Sequence, residues 1–289
     1  MTVLARRRAP ARTALLDKWL EAVPVFRLSD SAEDGALAFV GEDHTRWRVL
    51  PSPGERLPGT FDQDVYIELM HRYQEAGAPA DGVVTFTLHA FLRSMGRRVD
   101  GRTYEQLRAA LTRLEKTTIE HTAVSDSGEG AGEAGRFSIV SLAAVERRRL
   151  SERDQLPLFP TVATPDPGVA RVTISSIIRD HLANRESIAL SMSTYLALQS
   201  PVARRLYRLI EVARAEDMVT WRVALDRLRE QLPLIQRFPS HLQRVLQPAH
   251  EMLEAAGVIR GANFRQHQRE WFVDYVVAPR SSRRPAEDS

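Results

Sequence analysis

The chain has no cysteine among its 289 residues. That excludes disulfides, thiol catalysis and cysteine-built zinc or iron–sulfur sites. Lysine is almost missing too: Lys18 and Lys116 are the only two, so arginine carries nearly all the positive charge. Arginine suits planar recognition of phosphates and guanine edges, although an arginine-rich coding bias explains the choice equally well. No apolar run approaches the roughly 20 residues of a membrane span. The N-terminal MTVLARRRAPARTALLDKWL is basic but lacks a long apolar segment, so it does not read as a secretory signal. A cytoplasmic protein is the expectation. No G-x-x-x-x-G-K-[ST] occurs, which argues against a P-loop ATPase. No histidine–hydrophobe–histidine triplet occurs, so the metal site of a rolling-circle nickase is missing. H-E-x-x-H and G-x-S-x-G are missing as well. The net charge of +3 is a mild basic excess, and the 43% hydrophobic content is enough for packed cores. At this length two domains are expected rather than one.

Against these absences, residues 239–257, PSHLQRVLQPAHEMLEAAG, stand out. Leu242, Val245, Leu246, Ala249, Leu253 and Ala256 recur at helical spacing and form one apolar stripe. Ser240 is placed to cap the start, and Gly257 to end the helix in a left-handed conformation. The polar face changes along its length. Ser240, His241, Gln243, Arg244 and Gln247 can donate hydrogen bonds, whereas Glu251 and Glu254 further on would repel a phosphate backbone. Such a helix can point end-first into a major groove; a plain amphipathic core helix has the same pattern. The surroundings favour the groove. Residues 201–216 form a helix, Trp221 and Val223 a short strand, and residues 225–232 a short helix. After the long helix, Val258-Ile259 and residues 271–277 read as strands joined by a polar loop, GANFRQHQRE. Helix, strand, helix, helix, strand, loop, strand is the order of a winged helix, a helix-turn-helix followed by a wing.

The first part of the chain repeats that order. Residues 1–35 read as a flexible segment with one helix at 13–22. Residues 37–40 and 46–50 form a hairpin. A helix covers 62–76, capped by Asp62, with Val65, Tyr66, Leu69, Met70 and Tyr73 in its stripe. A strand at 83–86, a short helix at 87–95 and a longer one at 103–116 follow. Strands at 117–124 and 136–145 flank a glycine-rich acidic stretch, residues 125–135, read as the first wing. A proline-rich loop, a strand at 171–174 that could complete the first sheet, and helices at 176–183 and 193–199 complete this half. A repeated pattern is stronger evidence than either copy alone. The expected fold is therefore α+β, two tandem winged-helix domains at 36–199 and 200–279, with a disordered tail at 280–289. Asp62, Asp64 and Glu68 could share a metal, but acidic residues at a helix start are favoured by capping and the helix dipole. The dispersed His44, His71, His89 and His181 suggest no ligand set.

Four segments carry a resemblance to a known family: DGVVTFTLHAFLRSMG followed by GRTYEQLRAALTRLEKTTIE, then SPVARRLYRLIE and LQPAHEMLEAAGVIR. In this order, over roughly residues 36–277, the chain resembles the plasmid replication initiator proteins of the Rep family, in the branch called replication initiator protein A. Pro248 inside the long helix fits that family's pattern. The resemblance implies a protein that binds repeated sequences, iterons, in double-stranded DNA at a plasmid origin, helps open it, and recruits the host initiator and replicative helicase. It also implies that the second domain grips one end of the repeat more tightly. The first domain contacts the other end and mediates dimerisation. Monomers bind iterons, while dimers initiate poorly and often repress their own gene.

The expected function is thus a non-enzymatic DNA-binding initiator needing no cofactor, metal or membrane. In the second domain, Gln243, Arg244 and Gln247 are the candidates for base edges, and Ser240, His241, Arg265 and Arg269 for phosphates. In the first domain the candidates are Arg102, Thr103, Gln106 and Arg113. A winged-helix transcriptional regulator and a metal-dependent nuclease using Asp62 and Asp64 are the alternatives.

Overall fold

The computed structural model describes residues 12–28, 35–41, 43–124, 131–146, 168–184, 186–215 and 218–279. The chain divides into two compact units, Met1–Leu196 and Ala197–Ser289. Both mix helices with strands, and among the described residues every strand pairing is antiparallel.

In the first unit α2 (Thr60–Glu75) is buried on nearly every side, with Val65, Tyr66, Ile67, Leu69 and Met70 all fully enclosed. Its start departs from the expected cap. Gly59 is the N-cap, and Asp62 sits one turn inside, where its Oδ2 accepts the Gly59 N–H at 2.6 Å. Next come β4 (Val83–Thr87), α3 (Leu88–Ser94) and α4 (Gly101–Lys116). Thr87 caps α3 and Asp100 caps α4 through side-chain oxygens, which ties both starts to short polar residues in extended backbone. Tyr104, Leu107, Leu111 and Leu114 form the buried stripe of α4 as their spacing requires. The hairpin β2 (Leu37–Val40) and β3 (Arg46–Leu50) falls where the alternation placed it.

Two sequence expectations fail here. Residues 13–22 are not one helix. Thr13–Asp17 is a strand, β1, paired with β9 (Ser187–Ser191), and only Lys18–Glu21 is helical, as α1. Ala14 and Leu16 alternate inward to full burial, and the Asp17 carboxylate then caps α1 through the Trp19 and Leu20 N–H groups. Residues 12–28 are thus packed rather than loose; the rest of 1–35 lies outside the described residues save Gly35.

The strand expected at 136–145 is two strands. Ile139 and Val140 are both buried, so the alternation loses its phase and the chain leaves one sheet for another. β6 (Ala131–Phe137) joins β5 (Thr118–Val124) in a four-stranded sheet of order β2-β3-β5-β6. β7 (Val140–Glu146) joins a three-stranded sheet of order β4-β8-β7, where β8 is Val169–Ile174. Helix α5 (Ser176–Ala183) follows β8, and α6 (Met192–Ala197) meets the division between the units.

The second unit runs α7 (Pro201–Ala215), β10 (Thr220–Ala224), α8 (Leu225–Gln231), α9 (Pro239–Ala255), β11 (Ile259–His267) and β12 (Glu270–Val277). Its sheet has the order β10-β12-β11. The first unit has the same element order, α2, β4, α3, α4, β7, β8, and the same strand order, once β5 and β6 are set aside as an insertion. The stretch expected as a polar loop, GANFRQHQRE, is mostly strand. Its residues continue the β11–β12 ladder to His267 opposite Glu270, leaving Gln268 and Arg269 as the turn, with Gln268 at φ 54°. A two-stranded ribbon exposed on its flanks needs no apolar alternation, so hydropathy hides it. Leu206, Ile210, Leu228, Leu246, Leu253, Val273 and Tyr275 form the unit's core. The expected tail, 280–289, lies outside the described residues.

Candidate nucleic-acid interface

Helix α9 carries most of the expected second-domain contacts. Leu242, Leu246, Ala249 and Leu253 are buried, whereas Val245 is half-buried and Ala256 exposed. The buried stripe is therefore narrower than read, and His250 completes it at 1% exposure. Ser240 does not cap the helix. Phe238 is the N-cap and Pro239 the first helical residue, with the His241 and Leu242 N–H groups both donating to the Phe238 carbonyl at 3.0 Å. Proline presets the helical φ and has no N–H to leave unsatisfied there, so the helix begins before the serine. Gly257 at φ 68° ends it as expected.

On the outer face Ser240, His241, Arg244 and Gln247 are exposed and Gln243 is half-exposed. Arg244 makes no ion pair among the described residues. Gln247 donates to Glu251 Oε1 at 3.1 Å, one turn on, so part of its hydrogen-bonding capacity is already used within the helix. Two residues missed in the sequence flank the start: Arg237 is exposed, and Phe238 is 68% exposed with its ring edge-on to His241.

The β11–β12 ribbon holds Arg265 and Arg269. Arg269 is exposed in the turn. Arg265 Nε lies 3.0 Å from Asp274 Oδ2 as an ion pair, and Arg222 from β10 donates to the same carboxylate at 2.6 and 3.0 Å. The paired arginines, led by Arg222, hold the Asp274 carboxyl below its usual range. Arg265 is therefore less free for a phosphate than its place in the sequence suggests.

Under α9, His250 Nε2 shares a 2.9 Å hydrogen bond with the Tyr275 hydroxyl of β12, and its ring packs on Phe264 of β11. Burial lowers the His250 pKa to about 4 and raises that of Tyr275. One neutral side chain thus couples the long helix to the ribbon. Nothing in the sequence marked it, because a histidine on the rim of an apolar stripe reads equally as surface.

In the first unit only part of the expected set is available. Arg102 and Gln106 are exposed on α4. Thr103 is committed to the helix start: its N–H donates to Asp100 Oδ1 at 2.9 Å and its hydroxyl to the Arg98 carbonyl at 2.8 Å. Arg113 is turned inward, 12% exposed, and grips Asp62 with two bonds of 3.0 and 2.7 Å. It is a structural ion pair and not a surface contact, because position 113 faces α2 and an unpaired Asp62 there would be costly. The other acids of α2 are also engaged. Arg97 and the Tyr195 hydroxyl donate to Asp64, and Arg72 and Arg12 to Glu68. Among the described residues no group of three His, Cys, Asp or Glu is placed to hold a metal.

The stretch read as the first wing, residues 125–135, falls in the inserted sheet and not between the paired strands of the three-stranded sheet: 131–135 belong to β6, and 125–130, between β5 and β6, lie outside the described residues. The connection from β7 to β8 runs through residues 147–168, of which 147–167 lie outside the described residues. Its sequence, RRRLSER at 147–153, is basic.

A family model described as Replication initiator protein A matches residues 17–251, most of the chain. The chain belongs to that family. Within this replication initiator the match opens at the capping Asp17 and runs to Glu251 of α9, so it includes the donor-bearing half of that helix and stops before the ribbon. The fold is similar to a crystal structure of domains 2 and 3 of RctB, at TM-score 0.55 and 13% identity, covering 87% of this chain and 94% of that one. A second structure of RctB domains 2–3 gives 0.54 and 10%, covering 90% and 97%. The Pi initiator protein in complex with iteron DNA is similar at 0.49 and 16%, covering 75% and 93%. At these identities the RctB likeness concerns the fold alone. No curated protein matches the chain in sequence. Among the described residues no helix is long and apolar enough to cross a membrane.

Proposed function

We propose that this replication initiator is a sequence-specific, double-stranded-DNA-binding protein with two winged-helix domains, one in each unit. The repeated helix–strand–helix–helix–strand–strand order and the shared strand order support that reading. The observation that carries it is the outer face of α9: an unpaired Arg244 among exposed Ser240, His241 and Gln247, at the N-terminal half of a helix whose acidic groups lie further on. Donors at that end reach guanine and adenine edges, and the positive end of the helix dipole faces the phosphates. Arg269 at the ribbon turn and Arg237 before the helix add phosphate contacts on either side.

The resemblance to the Rep family extends this reading. The chain binds repeated sequences, iterons, at a plasmid origin, helps open it, and recruits the host initiator and replicative helicase. As a dimer it represses its own gene. It acts in the cytoplasm, without cofactor or catalytic metal. Support for a non-enzymatic role comes from Asp62, Asp64 and Glu68, which already meet arginines as structural partners. Incubation with supercoiled plasmid and magnesium tests that point: a nicked product would restore the nuclease alternative. Footprinting on DNA flanking the gene tests the main reading. Protected direct repeats, with protection lost in Arg244→Ala, are expected. A single palindrome would favour an ordinary repressor, and no protected sequence would remove the proposal.

A further inference from the structure

The inserted sheet β2-β3-β5-β6 has two chemically different faces. Phe39, Trp47, Val49, Ile119 and Phe137 point inward and are buried. Alternation then sends Arg46 and Arg48 of β3, Glu120 and Thr122 of β5, and Arg136 of β6 to the other face. The register sets Arg46 opposite Thr122, Arg48 opposite Glu120, and Glu120 opposite Arg136. Two arginines, Arg48 and Arg136, therefore flank the one carboxylate, and Arg46 stands beside them on the same face. Their hold on it is slight: Arg48 lies 3.5 Å and Arg136 3.9 Å from Glu120, with side chains 62% and 69% exposed. Arg46 is exposed and makes no ion pair among the described residues. Exposed pairs at such distances are weak, so these guanidinium groups can exchange Glu120 for a stronger anion with little loss.

We infer that this outer sheet face is a second binding surface for nucleic-acid phosphates, lying outside the repeated helix–strand pattern altogether. A rigid antiparallel sheet fixes the spacing of the three guanidinium groups, and arginine forks onto phosphate oxygens in pairs of hydrogen bonds. No base edge is addressed, so the surface adds affinity and salt sensitivity without sequence preference. The inference rests on the DNA-binding reading of the chain but not on helix α9.

The test uses the full chain, a duplex carrying the footprinted repeat, and a random-sequence duplex. The triple variant Arg46→Gln, Arg48→Gln, Arg136→Gln should bind both duplexes more weakly by the same factor. Its slope of log affinity against log salt should be shallower by about 2.7, since each lost phosphate contact removes about 0.9. Its melting temperature should match the wild type, because all three side chains are exposed. Glu120→Gln provides an opposite perturbation: with the competing carboxylate gone, both duplexes should bind more tightly. Unchanged affinity and slope in the triple variant would overturn the inference, as would a loss confined to binding of another protein, which would mark the face as a protein contact. Arg244→Ala separates the two ideas. If it loses preference for the repeat while the triple variant behaves as wild type, this inference fails and the α9 reading stands; the reverse pattern removes the α9 reading and keeps this one.

Discussion

Lowering the pH from 7 to 4 should strip roughly 3 kcal/mol of stability from the second unit through His250 alone. His250 is 1% exposed beneath α9, and burial holds its pKa at about 4 against an ordinary 6.5. The unfolded chain takes up a proton as pH falls through about 6.5, whereas the folded chain resists until about 4. Between those values the unfolded state binds more protons, so stability falls as pH falls. The contribution is complete above about 6.5 and gone below about 4. At about 1.4 kcal/mol per pH unit the interval amounts to roughly 3 kcal/mol. Urea unfolding of the wild type and of His250→Leu, measured in parallel from pH 7 to 4, isolates the effect because the other titrating groups are common to both. The leucine chain loses the hydrogen bond to Tyr275, a cost of about 1–3 kcal/mol that does not depend on pH in this range. The stability difference between the two chains should therefore shift by roughly 3 kcal/mol in favour of leucine as pH falls. A difference that stays constant across the range, or a His250 ring titrating near 6.5 by NMR, would refute the reasoning.

Arg244→Ala should cost about 1–3 kcal/mol on the specific site if its side chain reads a base edge, and Arg269→Ala should weaken all sequences alike and lower the salt slope by about one unit; gel shifts at several salt concentrations measure both. Leu246→Ala and Leu111→Ala, each in a closed core, should cost about 2–5 kcal/mol in urea unfolding, whereas Gln247→Ala, on the exposed face, should leave the melting temperature unchanged. Asp62→Ala strands the inward-facing Arg113 and should destabilise the first unit by about 3–5 kcal/mol, as breaking a buried pair does, with the loss read by thermal melting. A fragment of residues 197–279 should fold alone, since its core closes within those residues; a circular dichroism melt with no cooperative transition would contradict this.

The elements with strong local signals were determined by the sequence alone. The stripe of α4, the hairpin β2–β3 and the glycine at 257 lie where period and local chemistry put them, because each depends on neighbours a few residues away, whereas the caps expected at Asp62 and Ser240 belong to Gly59 and Phe238. The exposed donors of α9 were legible for the same reason: a helix of known phase sets which residues face out. Tertiary structure alone decided matters that involve distant partners. β1 became a strand because β9 was there to pair with it, and β5–β6 left the repeated pattern because they found β2–β3. The acidic stretch at 125–135 lost its place as a wing through that choice of sheet. Arg113, a plausible surface donor on its own helix, turned inward because Asp62 lay on the facing one, and His250 stayed neutral because Phe264 and Tyr275 closed over it. Periodicity tells which side of an element avoids water, but it cannot tell what stands on that side. Pairing, ion partnership and pKa are decided there.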